Sequence, residues 1–391
     1  MIHSVWAGCR TLREKIRGQG GSVLVVVASG MLALTSVVAL AIDVGLMTTA
    51  RLEAQRAADA AALAGAGAFV ASPGNEGLAR VLAAEYAARN AVRFESVTLL
   101  EDDIVIDTDA LTVEVTVFRN RDRGNAIPTF FARVFGVQDV NIAATATAEA
   151  APAGGIQCLL PVAIPDRWFE AGGEGNDPDE FDPEEGDYYI PWAQPDTDPP
   201  VFNDAFTGYA QSDLGTRIEL TSNKANAGMN PSWYYPWRPP GQMGASDFRT
   251  NVNSCVDPTI SFFIGIEVDT EPGNMAGPTM QGFKDLIDQD PTARWNSTMK
   301  CVVSDGYQAS SDATKCRGSV RIRPVPLFDP TEEPDLGSKP FKFTNFAGIF
   351  VEDISGKSVN GRWLGYTGIK PASPDEDTTA GPLFKVLRLI E

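Results

Sequence analysis

Residues 22–42, SVLVVVASGMLALTSVVALAI, run for 21 positions without a charge and pass directly into DVGLMTTARLEAQRAADAAALAGAGAF at 43–69. A helix needs roughly 20 apolar residues to cross the hydrocarbon of a bilayer, so the first stretch reads as a transmembrane helix. The second stretch has ten alanines among positions 50–69 and no proline. Its high helix propensity predicts one continuous helix leaving the membrane. In the basic segment 1–21, Arg10, Arg13, Lys15 and Arg17 outweigh Glu14. Positive charge beside a span is retained in the cytoplasm, so the chain beyond Asp43 is expected on the far side. Ala39-Leu40-Ala41 also fits the small-x-small pattern of a cleaved signal peptide. Against cleavage, the apolar run exceeds the usual signal core.

Composition narrows the function classes. The chain has 391 residues and a net charge of −19, which opposes binding to a phosphate backbone, so no nucleic-acid partner is expected. His3 is the one histidine. That removes Ser-His-Asp, Cys-His and His-ligated zinc chemistry from the remainder. A hydrophobic content of 43% is too high for a disordered chain, and the length suits two or three domains.

Ala50, Ala54, Ala57, Ala61, Ala64 and Ala68 recur at three- and four-residue spacing. Such a stripe lets another backbone approach closely. It serves either packing within the chain's own domain or lateral assembly, including a homo-oligomer through the Ala-rich helix. After a break at Pro73-Gly74, apolar spacing predicts a second helix over 77–92. Residues 103–107 and 111–118 alternate as strands, a short helix is expected at 128–135, and a strand at 140–148. Beyond Ala150 the composition shifts, since 25 of the 27 prolines lie in 151–391. That marks a second, mostly-β region, a sandwich or barrel with long loops. Its clearest strand spans 259–269, with weaker candidates at 319–323, 340–343, 348–351 and 383–390.

Arg17-Gly18, the apolar helix, Ile42-Asp43-Val44-Gly45 and the block Gln55-Arg56-Ala57-Ala58-Asp59-Ala60-Ala61-Ala62-Leu63-Ala64-Gly65-Ala66 together resemble the amino-terminal domain of TadG-like proteins of Tad (Flp) pilus assembly. The resemblance covers roughly 50 residues. It implies a pilin-like arrangement over 43–150, a helix on a small antiparallel sheet, and an α+β class for the whole chain. It also implies that Asp43, Gly45, Gln55, Ala57, Ala58, Asp59, Ala61, Ala64 and Gly65 mark a family interface. The implied partners are the inner membrane and other Tad pilus or pseudopilin subunits. Two departures stand out. Val23 to Val27 replace the glutamate that pilins carry a few residues into the helix. Asp257-Pro258-Thr259-Ile260-Ser261 departs from the metal-adhesion motif of longer relatives.

Cys9 lies in the cytoplasmic segment, whereas Cys158, Cys255, Cys301 and Cys316 form an even, disulfide-permissive set. Three connectivities exist. Spacing favours Cys301–Cys316, leaving Cys158–Cys255. Residues 170–187 hold nine acids in 18 positions, and hard cations take such oxygens. Asp177, Asp179, Glu180, Asp182, Glu184, Glu185 and Asp187 are therefore weak calcium candidates, since the order is not that of an EF-hand and a solvated acidic loop is the favoured reading. No other cofactor is expected. Gly356-Lys357-Ser358 lacks the glycine a phosphate loop needs at Val351. Trp233-Tyr234-Tyr235-Pro236-Trp237 is either core filling or an exposed binding patch.

The expectation is a single-pass, non-enzymatic component of Tad/Flp pilus assembly or secretion machinery in a bacterial inner membrane, with the bulk periplasmic or extracellular. The alternative is an envelope ligand-binding module or hydrolase that acts through 151–391 on a Tad-like anchor.

Overall fold

The computed structural model describes residues 5–171, 180–191, 207–222, 229–305, 318–369 and 381–390. The architecture is α+β, a long apolar helix followed by mostly-β structure. Helix α1 (Val5–Ala71) runs unbroken for 67 residues. From Val23 to Ile42 its side chains are bare except for half-buried Ala39, with Leu24, Leu32 and Leu34 each about 70% exposed. The hydroxyls within this stretch are satisfied by the helix itself: Thr35 donates to the Met31 carbonyl at 2.9 Å and Ser36 to Leu32 at 2.7 Å. They add little polar cost to an apolar rod.

Contacts sort the chain into two compact units. The first comprises residues up to 62 with 83–105 and 114–146, and the second comprises 63–82, 106–113 and 147 onward. Helix α2 (Glu76–Ala88) stops short of the expected Val92, because residues 91–92 turn into a two-residue hairpin ladder with 95–96. Strands β1 (Ile104–Asp107), β2 (Thr112–Arg119) and β3 (Ile142–Pro152) lie in the order β3-β2-β1.

Within the first unit, Val115 and Val117 of β2 are fully buried, as their alternation requires. Ile142, Ala144 and Ala146 are the buried positions of β3 there, alternating with exposed ones. The Gln55 amide donates to the Thr145 carbonyl at 3.0 Å, tying α1 to that strand. Asp103, 3% exposed, takes both guanidinium nitrogens of Arg123 at 2.6 and 2.5 Å. This fork-to-fork geometry is the strong form of the ion pair.

The second unit is built on β4 (Val162–Pro165), β5 (Arg217–Ser222), β6 (Trp233–Arg238), β7 (Glu267–Thr270), β8 (Ile322–Phe328), β9 (Phe341–Ser355) and β10 (Ser358–Leu364). Their order is β5-β10-β9-β7-β6-β4-β8. Because β8 also pairs with β9 and β5 with β6, the sheet returns on itself. Helices α3 (Ala245–Ser254) and α4 (Ala276–Gln289) join this mostly-β framework. Pro278 falls in the first turn of α4, where a missing N–H costs nothing. Strand β11 (Tyr366–Thr367) lies beside β12 (Phe384–Ile390), which pairs with residues 147–152.

The aromatic run on β6 is core filling. Trp233, Tyr235 and Trp237 join one buried cluster with Phe262, Phe343 and Phe346, while Tyr234 joins another with Phe248, Phe283 and Trp363. The two-residue period of a strand sorts one run of aromatics into two cores. The expected strand over 259–269 is two strands, Ser261–Phe263 and β7, in different sheets. Gly265 separates them with φ +85°, a conformation glycine supplies at no steric cost. Likewise, 341–343 and 348–351 are parts of the single 15-residue strand β9, which Pro340 precedes. The Gly356-Lys357-Ser358 string is the turn between β9 and β10, where Ser355 faces Ser358.

Candidate functional site

Asp43 is the first charge after the apolar run, and it is 2% exposed. A buried carboxylate must be partnered. Here one oxygen accepts the Phe130 backbone N–H at 2.9 Å, while the other accepts those of Phe131 at 2.9 Å and Ala132 at 2.6 Å. These donors open the short 3-10 turn Ala132–Phe135 and have no partner within it. Asp43 thus caps that turn from a distant part of the chain. Burial pushes its pKa up, but the three backbone bonds and the charge of Arg133 pull it further down, so it lies below the ordinary carboxylate value.

The turn is held in a closed loop. Ile127 and Pro128 pair antiparallel with Val140 and Asp139 at its base. The Thr129 hydroxyl donates to the Val137 carbonyl at 2.5 Å, and the Arg133 guanidinium donates back to the Thr129 carbonyl at 2.8 Å. Gly136 ends the turn at φ +88°. The expected helix at 128–135 is therefore this single 3-10 turn. Ten residues farther along α1, Glu53 repeats the device by accepting the Arg93 N–H at 2.7 Å.

The alanine stripe turns inward. Ala50, Ala54, Ala57, Ala58 and Ala61 have no exposed surface, so the close approach their size permits is already taken up within the chain. Gln55 serves the same packing, since its amide donates to Asp59 at 2.8 Å as well as to Thr145. Open surface on this part of the helix belongs to Val44, Gly45, Thr48, Thr49, Arg51, Leu52 and Arg56.

Residues 21–68 match the family described as "Putative Flp pilus-assembly TadE/G-like". The matched stretch resembles that family over 48 of the 391 residues. The match supports involvement in Flp pilus assembly, and with the bare apolar helix it suggests membrane anchoring. No curated protein and no solved structure matches the chain. Within the matched stretch, Asp43, Gln55, Ala57, Ala58 and Ala61 hold the chain's own fold, and Gly45 stands open, with nothing beyond its own helix turn within 4 Å of where a Cβ would sit. Ala64 is half-buried and Gly65 buried.

Outside the matched stretch, the acidic segment divides. Asp177 and Asp179 lie outside the described residues. Asp187, 5% exposed, accepts the N–H groups of Ala171 at 3.0 Å and Asp182 at 2.9 Å, while Asp182 accepts that of Glu184 at 2.8 Å. Glu180, Glu184 and Glu185 are exposed. Among the described residues no three His, Cys, Asp or Glu side chains gather as metal ligands. Asp257 closes on its own loop, accepting the Thr259 N–H and hydroxyl. Cys158 and Cys255 are joined in a disulfide. Cys301 is also disulfide-bonded, and Cys316 lies outside the described residues.

No local pattern in the sequence announces two further buried carboxylates. Asp166, 1% exposed, accepts the N–H groups of Arg167 and Tyr209 on one oxygen and the Tyr189 hydroxyl and Asn345 amide on the other. Burial raises it to about 6 despite those donors. Asp290 accepts the hydroxyls of Ser304 at 2.7 Å and Ser319 at 2.6 Å. Burial opposes its charge, but these hydroxyls and Arg321 outweigh burial and hold its pKa low. Both serines donate to an acceptor that is itself held, an arrangement that ties α4 to the segment entering β8.

Proposed function

We propose that this chain is a membrane-anchored, non-enzymatic component of the Flp pilus-assembly machinery, acting in assembly, anchoring or adhesion. The carrying observation is the coincidence, in one uninterrupted helix, of the Tad match at 21–68 with side chains left bare from Val23 to Ile42. In this reading the basic residues before the span stay in the cytoplasm and the rest of the chain is exported across the inner membrane. Its partners are other Tad pilus or pseudopilin subunits, met through the helix face that the chain's own sheet leaves open. Crosslinking of the full chain in cells, followed by mass spectrometry of captured proteins and of the intact amino terminus, tests this. Recovery of pilus-assembly partners with the helix uncleaved supports it. A chain beginning near Ile42 and free of envelope partners defeats it.

A second reading, ligand binding by residues 151–391, draws on a groove of about 580 Å³ lined by Arg238, Gln242, Met243, Phe262, Glu267 and Pro340. Its discriminating result is binding of a soluble envelope ligand by the protein with no pilus partner recovered.

A further inference from the structure

The loop that Asp43 holds has an unusual surface. Phe130, Phe131, Val134, Phe135 and Val137 are 59, 42, 81, 79 and 44% exposed, five large apolar side chains within eight positions. Single exposed apolar residues need no explanation, but a contiguous group marks a contact surface. What covers it follows from where it is tied. Its three N–H groups sit on the carboxylate of the residue that directly follows the apolar run, at 2.6 to 2.9 Å. The exposed apolar surface of α1 continues up to that level through Leu40 and Ile42 and past it to Val44.

The geometry points to the loop 129–138 as a second, interfacial membrane contact, its phenylalanines and valines lying in the headgroup and upper acyl region of the bilayer that α1 spans. The inference rests on the membrane-anchored reading above. The occupant is lipid, and the contact is carried by apolar area, because the loop and its base hold only Arg133 and Asp139 as charges and so gain nothing net from anionic headgroups. Arg133, already directed back to the Thr129 carbonyl, has the long stem that lets a guanidinium reach headgroup phosphates while its methylenes stay with the apolar side chains. Asp43 then has a role that its burial alone does not explain. It fixes the height of the loop on the helix, and the loop fixes how far the helix sinks.

The molecule contains its own control. Phe94 is 92% exposed, and its neighbour Arg93 is tied to Glu53, ten residues and so about 15 Å farther along α1. The full chain carrying Cys9→Ser, with its disulfides left oxidised, is reconstituted in phosphatidylcholine vesicles containing nitroxide-labelled lipid. An environment-sensitive dye is placed on Phe135→Cys or Phe94→Cys, with Val134→Cys as a second loop position. The expected result is a blue-shifted loop label quenched by the lipid nitroxide roughly threefold or more above the label at 94. Carbonate extraction of the same vesicles reports the anchor separately. Equal quenching at 94 and at both loop positions, in a chain that resists extraction, overturns the interfacial contact and leaves the anchor standing. A blue shift without lipid quenching also overturns it, since another protein surface then covers the loop. Release of the chain by carbonate overturns the anchored reading and the contact with it.

Discussion

The Asp43 carboxylate and the backbone N–H of Ala132, 89 positions apart in sequence, meet at 2.6 Å. This contact turns the end of an apolar helix into a fixed attachment point for a loop. Asp43→Ala removes the acceptor for three buried donors, and an unpaired buried donor is costly. The amides of 130–132 should then exchange with solvent roughly tenfold faster or more by hydrogen–deuterium mass spectrometry, while α1 beyond Ala50 keeps its protection. Asp43→Asn, which retains one acceptor oxygen, should fall between. Unchanged exchange in Asp43→Ala would mean that the cap does not hold the turn.

Asp43 and Asp166 should imprint opposite pH dependences. Asp43 lies below the ordinary value of 3.8, so its stabilisation is complete above about pH 4 and is lost as the pH falls through its folded value. Asp166 is raised to about 6. Between about pH 4 and 6 the folded protein therefore keeps a proton that the unfolded chain has released. Stability falls as pH rises through that window and levels off above it, by about 3 kcal/mol in all. Asp166→Asn should abolish that slope. Urea denaturation of the variant and the parent at both ends of the window measures it.

Gly365 and Gly356 should respond differently to the same substitution. A Cβ on Gly365 would sit 1.8 Å from the Val70 carbonyl oxygen at the end of α1, a backbone atom that cannot step aside. Gly365→Ala should cost about 3 kcal/mol or more. At Gly356 nothing lies within 4 Å and only φ +62° opposes a side chain, so Gly356→Ala should cost about 1 kcal/mol. Thermal melts of the two variants separate clash from backbone strain.

The disulfide between Cys158 and Cys255 closes a separation of 97 residues. Removing it with Cys158→Ser plus Cys255→Ser should cost about 2–5 kcal/mol, largely by releasing the unfolded chain. A melting temperature that is unchanged on reduction of the parent protein would show the bond to be dispensable.

Local signals in the sequence reported local structure. The charge-free run and the alanine-rich run after it gave α1, and the alternation of Val113, Val115 and Val117 gave β2. The same alternation misled at 260–268, because Gly265 inserts a turn without disturbing the period of apolar residues around it. Helix α4 hid its pattern of Thr279, Phe283 and Leu286 behind Pro278, which suggests a break but sits where a helix begins. Contacts between distant positions left no trace at either end. Asp43 could be read as a charge needing a partner, and FFARVFG at 130–136 as apolar, but nothing in either stretch names the other. Asp166 draws its donors from residues 167, 189, 209 and 345, which are neighbours only once the sheet has closed.

The alanine stripe separates two accounts of the same residues. If Ala57 and Ala61 formed the surface for another subunit, Ala57→Leu plus Ala61→Leu would lose partners and leave the melting temperature of the isolated protein unchanged. Both residues have no exposed surface, and inserting branched side chains into a filled interior typically costs about 1–3 kcal/mol at each site. The double variant should therefore melt several degrees lower, and any loss of partners would follow from damage to the fold. Thr48→Leu together with Arg56→Glu changes the open face of the same helix, where substitutions perturb stability little. That pair should leave the melting temperature near the parent value while weakening capture of a neighbouring subunit. Melting curves and crosslinking yields of the two double variants, measured together, assign the assembly surface to one side of the helix.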